Sequence, residues 1–284
     1  MKSYLMLTGA VVAISFATQA DAAVLYGATA AGSPGELYIL NSATGAVIQD
    51  VGPLNDALAQ NYPITGLAFH PITGVLYGST GNSVAAAAAK LVTIDPVTAL
   101  VTVVGSFNAG NAGTPATMTD LAFTAAGALY GVGSVGGPQL YSINPATGQA
   151  TIIGSTGLIS TTGGGLAIGA GGNFYGTPTS TRFGTYNPIT GAYTDIANPA
   201  KPVGGTYAGL EFDGADALYG LNLGSTPPPP THLVTLNPTT GAVTDLGASA
   251  TSLDAIAFAV PEPGALTMLL PAGFGLLNRR RKGC

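Results

Sequence analysis

The chain has 284 residues, with 42 Gly, 20 Pro and only 7% charged side chains. Low charge beside 46% hydrophobic residues points to a folded core rather than disorder, and Gly without a Gly-X-Y period excludes collagen. Residues 23–260 hold three bases, Lys90, Arg182 and Lys201, against eleven acids, which leaves no basic patch for nucleic acid.

Residues 1–22 have the three parts of a secretory signal peptide. Lys2 is the positive end, Tyr4 to Phe16 is the apolar run, and Ala20-Asp21-Ala22 is a small-x-small cleavage pattern. Export through the Sec machinery and cleavage by signal peptidase between Ala22 and Ala23 are expected. Thirteen apolar residues are too few to span ~30 Å of hydrocarbon as a helix, so the segment is not read as an anchor.

From residue 24 three short patterns recur in fixed order. Leu-Tyr-Gly places a tyrosine at Tyr26, Tyr77, Tyr130, Tyr175 and Tyr219, at spacings of 51, 53, 45 and 44 residues. Asn/Asp-Pro-x-Thr-Gly places a threonine at Thr44, Thr98, Thr147, Thr190 and Thr240. Leu-x-Phe runs through Leu67-Ala68-Phe69, Leu121-Ala122-Phe123, Leu166-Ala167-Ile168, Leu210-Glu211-Phe212 and Ile256-Ala257-Phe258. Short β-branched and aliphatic runs bounded by turn residues read as strands, and a period of ~40–50 residues is that of propeller blades. Each unit gives strand a (Leu-x-Phe), strand b (Leu-Tyr-Gly), strand c such as 91–94, and strand d such as 101–104.

Between strands c and d, Asn or Asp bonds the turn backbone, Pro sets φ, and Gly takes the closing left-handed position. Ser42 replaces the Pro in the first copy and Ala99 replaces the Gly in the second. The first unit begins at strand b and the last ends at strand a, so the two ends together make one blade. The expected fold is therefore all-β: a five-bladed β-propeller of four-stranded blades over 23–259, closed by both chain ends. The pattern resembles the broad YVTN/WD-type family of extracellular propellers. A six-bladed ring and an open sandwich stay open as alternatives.

The a–b turns are short, whereas the b–c and d–a connections vary: 33–35, the Ala-rich 85–89, Pro227 to Pro230, and 53–63, 106–118 and 197–207. Variable loops on a rigid frame are where binding usually sits, so that face is the candidate binding face. Chemistry-bearing residues are scarce. His70 and His232 have no partner at metal spacing, and Glu36 and Glu211 would have to meet across the fold to act as a glycosidase pair. Asp120 and Asp254 stand just before a strand a near the central mouth and are the weak candidates for a Ca²⁺ site. The repeated tyrosines are read as core first and as a sugar platform second.

The end of the chain reads Val260-Pro261-Glu262-Pro263, an apolar run from Gly264 to Leu277, then Arg279-Arg280-Arg281-Lys282 and Cys284. One cysteine makes no intramolecular disulfide and no CxxC site. A Pro-Glu-Pro triplet, an apolar stretch and a terminal Arg cluster in this order resemble the PEP-CTERM sorting signal, over residues 260–284. The resemblance implies an exosortase-like processing enzyme that recognises Pro261, Glu262 and Pro263, transient inner-membrane anchoring, and release to the surface or polysaccharide matrix of a Gram-negative-type bacterium. The prolines keep the triplet extended, and Arg279, Arg280 and Arg281 suit the cytoplasmic side. The apolar run is 14 residues and contains Pro271, short for a spanning helix.

The function expected from these features is that of an exported, non-enzymatic propeller displayed at the surface and associated with extracellular polysaccharide, without a cofactor. An exported lactonase- or lyase-type enzyme with Ca²⁺ at the mouth, and a purely structural matrix component, are the alternatives.

Overall fold

The computed structural model describes residues 23–260 apart from 31, 82–84, 109–116, 134–137 and 160–163. The signal segment with Ala22, and the tail with Pro261, Glu262, Pro263, Arg279, Arg280 and Arg281, lie outside the described residues.

The chain opens with β1 (Leu25–Thr29), β2 (Glu36–Leu40) and β3 (Val47–Pro53). Four complete blades follow. The first is β4 (Ile64–Phe69), β5 (Leu76–Thr80), β6 (Lys90–Ile94) and β7 (Val101–Ser106); the next is β8 (Met118–Phe123), β9 (Leu129–Gly133), β10 (Gln139–Ile143) and β11 (Ala150–Ser155). Then come β12 (Gly165–Ile168), β13 (Phe174–Thr179), β14 (Arg182–Tyr186) and β15 (Tyr193–Ala197), and β16 (Thr206–Phe212), β17 (Leu218–Leu223), β18 (Thr231–Leu236) and β19 (Val243–Ala248). A last strand, β20 (Leu253–Phe258), pairs antiparallel with β1, Leu25 opposite Phe258 and Gly27 opposite Ile256. The result is five four-stranded sheets, one of them ordered β20-β1-β2-β3, as the repeat phase requires. No strand b is left with an open edge.

Each blade is joined to the next by an aromatic contact. The Leu-Tyr-Gly tyrosine of one blade meets the strand-a phenylalanine of the following one: Tyr26 with Phe69 at 5.5 Å, Tyr77 with Phe123 at 5.4 Å, Tyr175 with Phe212 at 5.6 Å, and Tyr219 with Phe258 at 5.0 Å. Strand β12 ends in Ile168, and there Tyr130 meets Phe174 of β13 instead, at 4.8 Å and edge-on. Phe174 occupies the place of the usual Leu before the tyrosine, so two substitutions compensate. The tyrosines are thus half-buried residues of the blade interfaces, packed against the core, each pair worth ~0.5–1.5 kcal/mol beyond its buried area.

The c–d turns form as the sequence chemistry demands. Oδ1 of Asn41, Asp95, Asn144, Asn187 and Asn237 accepts the N–H two residues on, at 2.8–2.9 Å. Ala99 keeps the left-handed position, φ 57°, at a cost of ~1 kcal/mol in backbone strain. A feature not read from the sequence locks these turns in place. Every c–d pair carries a β-bulge, and in three blades the strand-d glycine beside it, Gly105, Gly154 or Gly247, presses on the backbone of the next blade's turn. A methyl group on Gly105 would sit 2.0 Å from the Thr147 carbonyl oxygen, and one on Gly154 would sit 2.0 Å from that of Thr190.

Candidate functional site

The five strands a (β20, β4, β8, β12 and β16) surround the propeller axis, and their side chains can be compared place by place. The place before the recurring Leu or Ile of each repeat holds Gly66, Asp120, Gly165, Gly209 and Ala255. Four small residues let the strands approach closely: a methyl on Gly66 would lie 2.6 Å from the Asp120 Cα, and one on Gly209 would lie 2.9 Å from the Ala255 Cα. The fifth is Asp120. Its Oδ2 accepts the backbone N–H of Leu166 at 2.8 Å and of Leu210 at 3.0 Å, and its Oδ1 accepts that of Leu121 at 2.9 Å. One fully buried carboxyl thereby ties β8 to β12 and β16 and fills the axis. Burial holds its pKa well above the usual carboxylate range, against the pull of those three amides; nearby Glu211 pushes the same way.

Asp120 and Asp254 were expected just before strand a. Both lie inside it instead, because β8 starts at Met118 and β20 at Leu253. Strand a is longer than its Leu-x-Phe core, which the repeat pattern alone does not reveal. The two acids do not converge. Both Asp120 oxygens take N–H donors, which suit an anion rather than a cation, while Asp254 lines a cavity that Asp120 does not. Among the described residues no group of three or more His, Cys, Asp or Glu is placed to hold a metal.

Two cavities open on the axis from opposite faces. On the variable face a cavity of about 190 Å³ is lined by Thr65, Thr119, Ala208 and Asp254 from four strands a, and by Gly164 just before the fifth. Two of these hydroxyls are spent on joining blades: Thr65 donates to the Met118 carbonyl at 2.7 Å and Thr119 to that of Gly164 at 3.1 Å. The d–a connection 53–63 on this face is firmly built. Asp56 accepts from the N–H of Leu58 and Gln60 and from the Tyr62 hydroxyl, which holds its carboxyl below the usual range.

On the face of the short a–b turns lies a larger cavity of about 370 Å³. The last residues of all five strands a line it: Phe69, Phe123, Ile168, Phe212 and Phe258. Deeper in the wall stands Glu211, at a place where the other four strands carry Ala68, Ala122, Ala167 and Ala257. One oxygen of Glu211 accepts the N–H of Phe212 at 3.2 Å. Burial pushes its pKa up to about 8, with that N–H pulling the other way. The side chain holds a proton at neutral pH, yet the residue keeps some surface open to the cavity. From the sequence alone Glu211 stands out only as half of a possible glycosidase pair. Its signal was the break in an alanine column, visible only once the strand-a segments are superposed.

The other candidates have local partners. Nδ1 of His70 accepts the N–H of Ile72 and Thr73 within its turn, and its ring lies 4.9 Å from that of Phe123. His232 is part of β18 and pairs with Asp245 at 3.0 Å. Glu36 sits at the start of β2 beside Asp50; burial first and then the Asp50 charge raise its pKa. It belongs to a different blade from Glu211, and the two do not form a pair across the fold. Arg182 pairs with Asp195, and Lys201 donates to the Ser180 carbonyl at 2.8 Å.

The family described as "Repeat of unknown function (DUF6923)" matches residues 58–219. No curated protein matches the sequence. Among solved structures, a structural genomics protein of unknown function from Bacteroides thetaiotaomicron VPI-5482 is 14% identical with a TM-score of 0.45, over 76% of this chain and 56% of that one. A protein of unknown function from Bacteroides caccae is 10% identical with a TM-score of 0.46, over 84% of this chain and 99% of that one. The chain thus spans little more than half the length of the B. thetaiotaomicron protein.

Proposed function

We propose, for a chain that belongs to the DUF6923 repeat family of unknown function, that it is an exported, non-enzymatic propeller displayed at the cell surface or in the extracellular matrix, where it associates with polysaccharide. One structural observation carries the reading beyond the two terminal segments. The Ala259 N–H donates to the Val24 carbonyl at 2.8 Å, and Ala23, Ala259 and Val260 all line the cavity on the short-turn face. Both ends of the propeller therefore leave from that face. Attachment through the Pro261 end, before or after processing, would hold the short-turn face and leave the face with the variable loops pointing away. Display of variable loops on a rigid ring is the arrangement of a binding module.

The Asp120 carboxyl bears on the enzyme alternative. A Ca²⁺-dependent lactonase or lyase needs oxygen ligands free at the mouth, whereas both Asp120 oxygens are held by backbone amides.

The test is intact mass and cell fractionation of the native protein beside a variant with Pro261, Glu262 and Pro263 changed to Ala. The reading expects a mature wild type that starts at Ala23, loses the tail beyond the triplet and reaches the surface, with the variant retained in the inner membrane. Equal fractionation of both, with Cys284 intact, would overturn it.

A further inference from the structure

The cavity on the short-turn face has the make-up of a ligand site, and its contents say what kind. Four phenylalanines from four strands, with Ile168 in the fifth place, line its wall. Each Phe is backed by a tyrosine of the neighbouring blade, at 5.0 to 5.6 Å between ring centres, so the aromatic wall is rigid. Within this wall stands one carboxyl, Glu211, and on the rim are Asp213 and Asp216. Asp213 and Asp216 serve their own loops in part: Asp213 accepts from the N–H of Ala215 and Ala217, and Asp216 from that of Ala170.

Once Glu211 gives up its proton, its charge has no basic partner among the described residues of this cavity. No Lys or Arg lines the cavity among the described residues, and the bases Arg182 and Lys201 are engaged elsewhere. The groups near Glu211 are acids or neutral rings: Asp120 of β8 interacts with it electrostatically, Tyr219 is its partner across β16 and β17, and Asp213 and Asp216 of the β16–β17 turn line the same cavity. His70, in the β4–β5 turn, packs on the Phe123 ring, with Nδ1 taken by two amides. A volume of about 370 Å³ is the size of a small-molecule site. Aromatic rings around a buried carboxyl favour a cation with an apolar body, through ring quadrupole and charge together.

We propose that this cavity binds a small organic cation, an amine or quaternary ammonium compound, with Glu211 as its counter-ion and Phe69, Phe123, Phe212 and Phe258 as its wall. The proposal does not depend on export. Binding replaces the proton of Glu211 by the ligand's charge, so one proton leaves as the cation enters. Affinity therefore rises with pH up to about 8, where Glu211 is ionised without ligand, and levels off above it.

The test uses the full chain and three probes of like shape: benzyltrimethylammonium, benzylamine, and neutral neopentylbenzene. Calorimetry at pH 6, 7, 8 and 9 is expected to show binding of benzyltrimethylammonium that strengthens roughly tenfold per pH unit below 8 and is flat above it. Titration in two buffers of different ionisation heat is expected to show release of about one proton at pH 6–7. Neopentylbenzene is expected to bind at least tenfold more weakly at pH 9. Glu211→Gln is expected to remove the pH dependence and the preference for the cation, and Phe123→Leu to weaken the cation while keeping its pH dependence. Equal affinity for cation and neutral probe, an affinity independent of pH in the wild type, or no binding of either cation at pH 9 would each overturn the proposal, and none of these depends on a variant folding.

Discussion

Leu210 donates its backbone N–H to Oδ2 of Asp120 at 3.0 Å, across 90 residues of sequence. The same oxygen takes the N–H of Leu166, so a single carboxyl bonds the inner strands of two further blades. Asp120→Ala strands both of these amides in a buried axis, and a loss of about 2–5 kcal/mol in urea unfolding is expected. Asp120→Asn keeps an oxygen for Leu166 and Leu210 but turns an NH₂ toward the Leu121 N–H. It should cost about 1–2 kcal/mol, less than Ala. The reverse order would mean that the carboxyl is not the tie it resembles.

Glu211 gives stability a pH dependence of definite sign. Its folded pKa, about 8, lies above the ordinary value of 4.5, so between these values the folded state holds a proton that the unfolded chain has released. The stability tied to that proton is complete below about 4.5 and is lost as pH rises to about 8. Gln at this position has no proton to lose. The melting temperature of Glu211→Gln should match the wild type near pH 4, exceed it increasingly from pH 5 to 8, and keep a constant lead above that. A lead that does not change with pH would place the effect in packing.

The ring's closing contact is Tyr219 against Phe258, 5.0 Å apart with rings at 67°. Phe258→Ala removes a ring that bridges the last full blade and the blade made from both ends. A loss of about 2–4 kcal/mol is expected. A double-mutant cycle with Tyr219→Leu should show about 1 kcal/mol of coupling, and a coupling near zero would mean that β20 is held by its pairing with β1 alone.

Gly105→Ala tests the interlock between neighbouring blades. The added methyl would meet the Thr147 carbonyl oxygen at 2.0 Å, with backbone on both sides and no side chain able to move away. A loss of about 2–3 kcal/mol in chemical unfolding is expected. At the equivalent place in the next-but-one blade the chain carries Ala197, and there Gly241 supplies the room: a methyl on Gly241 would lie 2.4 Å from the Ala197 Cβ.

Much of this architecture was legible because the repeats encode it locally. Leu-Tyr-Gly, the Asn-Pro turn and Leu-x-Phe name three of the landmarks of a blade, and their phase announced that Leu25 and Phe258 would share a sheet. The site was less legible. Asp120 and Glu211 are single carboxyls in columns of Gly and Ala, and their meaning arises only when five strands separated by tens of residues stand around one axis. The larger cavity lies on the face with short, uniform turns, so loop variability pointed to the opposite face. The strand-d bulges were missed for another reason. Gly52, Gly105, Gly154 and Gly247 recur at the repeat period, but glycine is so common here that the column did not stand out.

The pairing of β20 with β1 makes strand a of one blade continuous with its strand b through hydrogen bonds, where the other four blades use a peptide turn. Val24 and Ala259 are hydrogen-bonded neighbours. A short Gly-rich link from 259 to 24 would restore the covalent turn found in the other blades, and new ends opened in the 197–205 connection would give a permuted chain with the same ring. The architecture of the ring thus does not dictate in which strand the chain begins. In the natural order β20 is the last of the described strands, so the ring can close only once the chain has been made as far as Phe258.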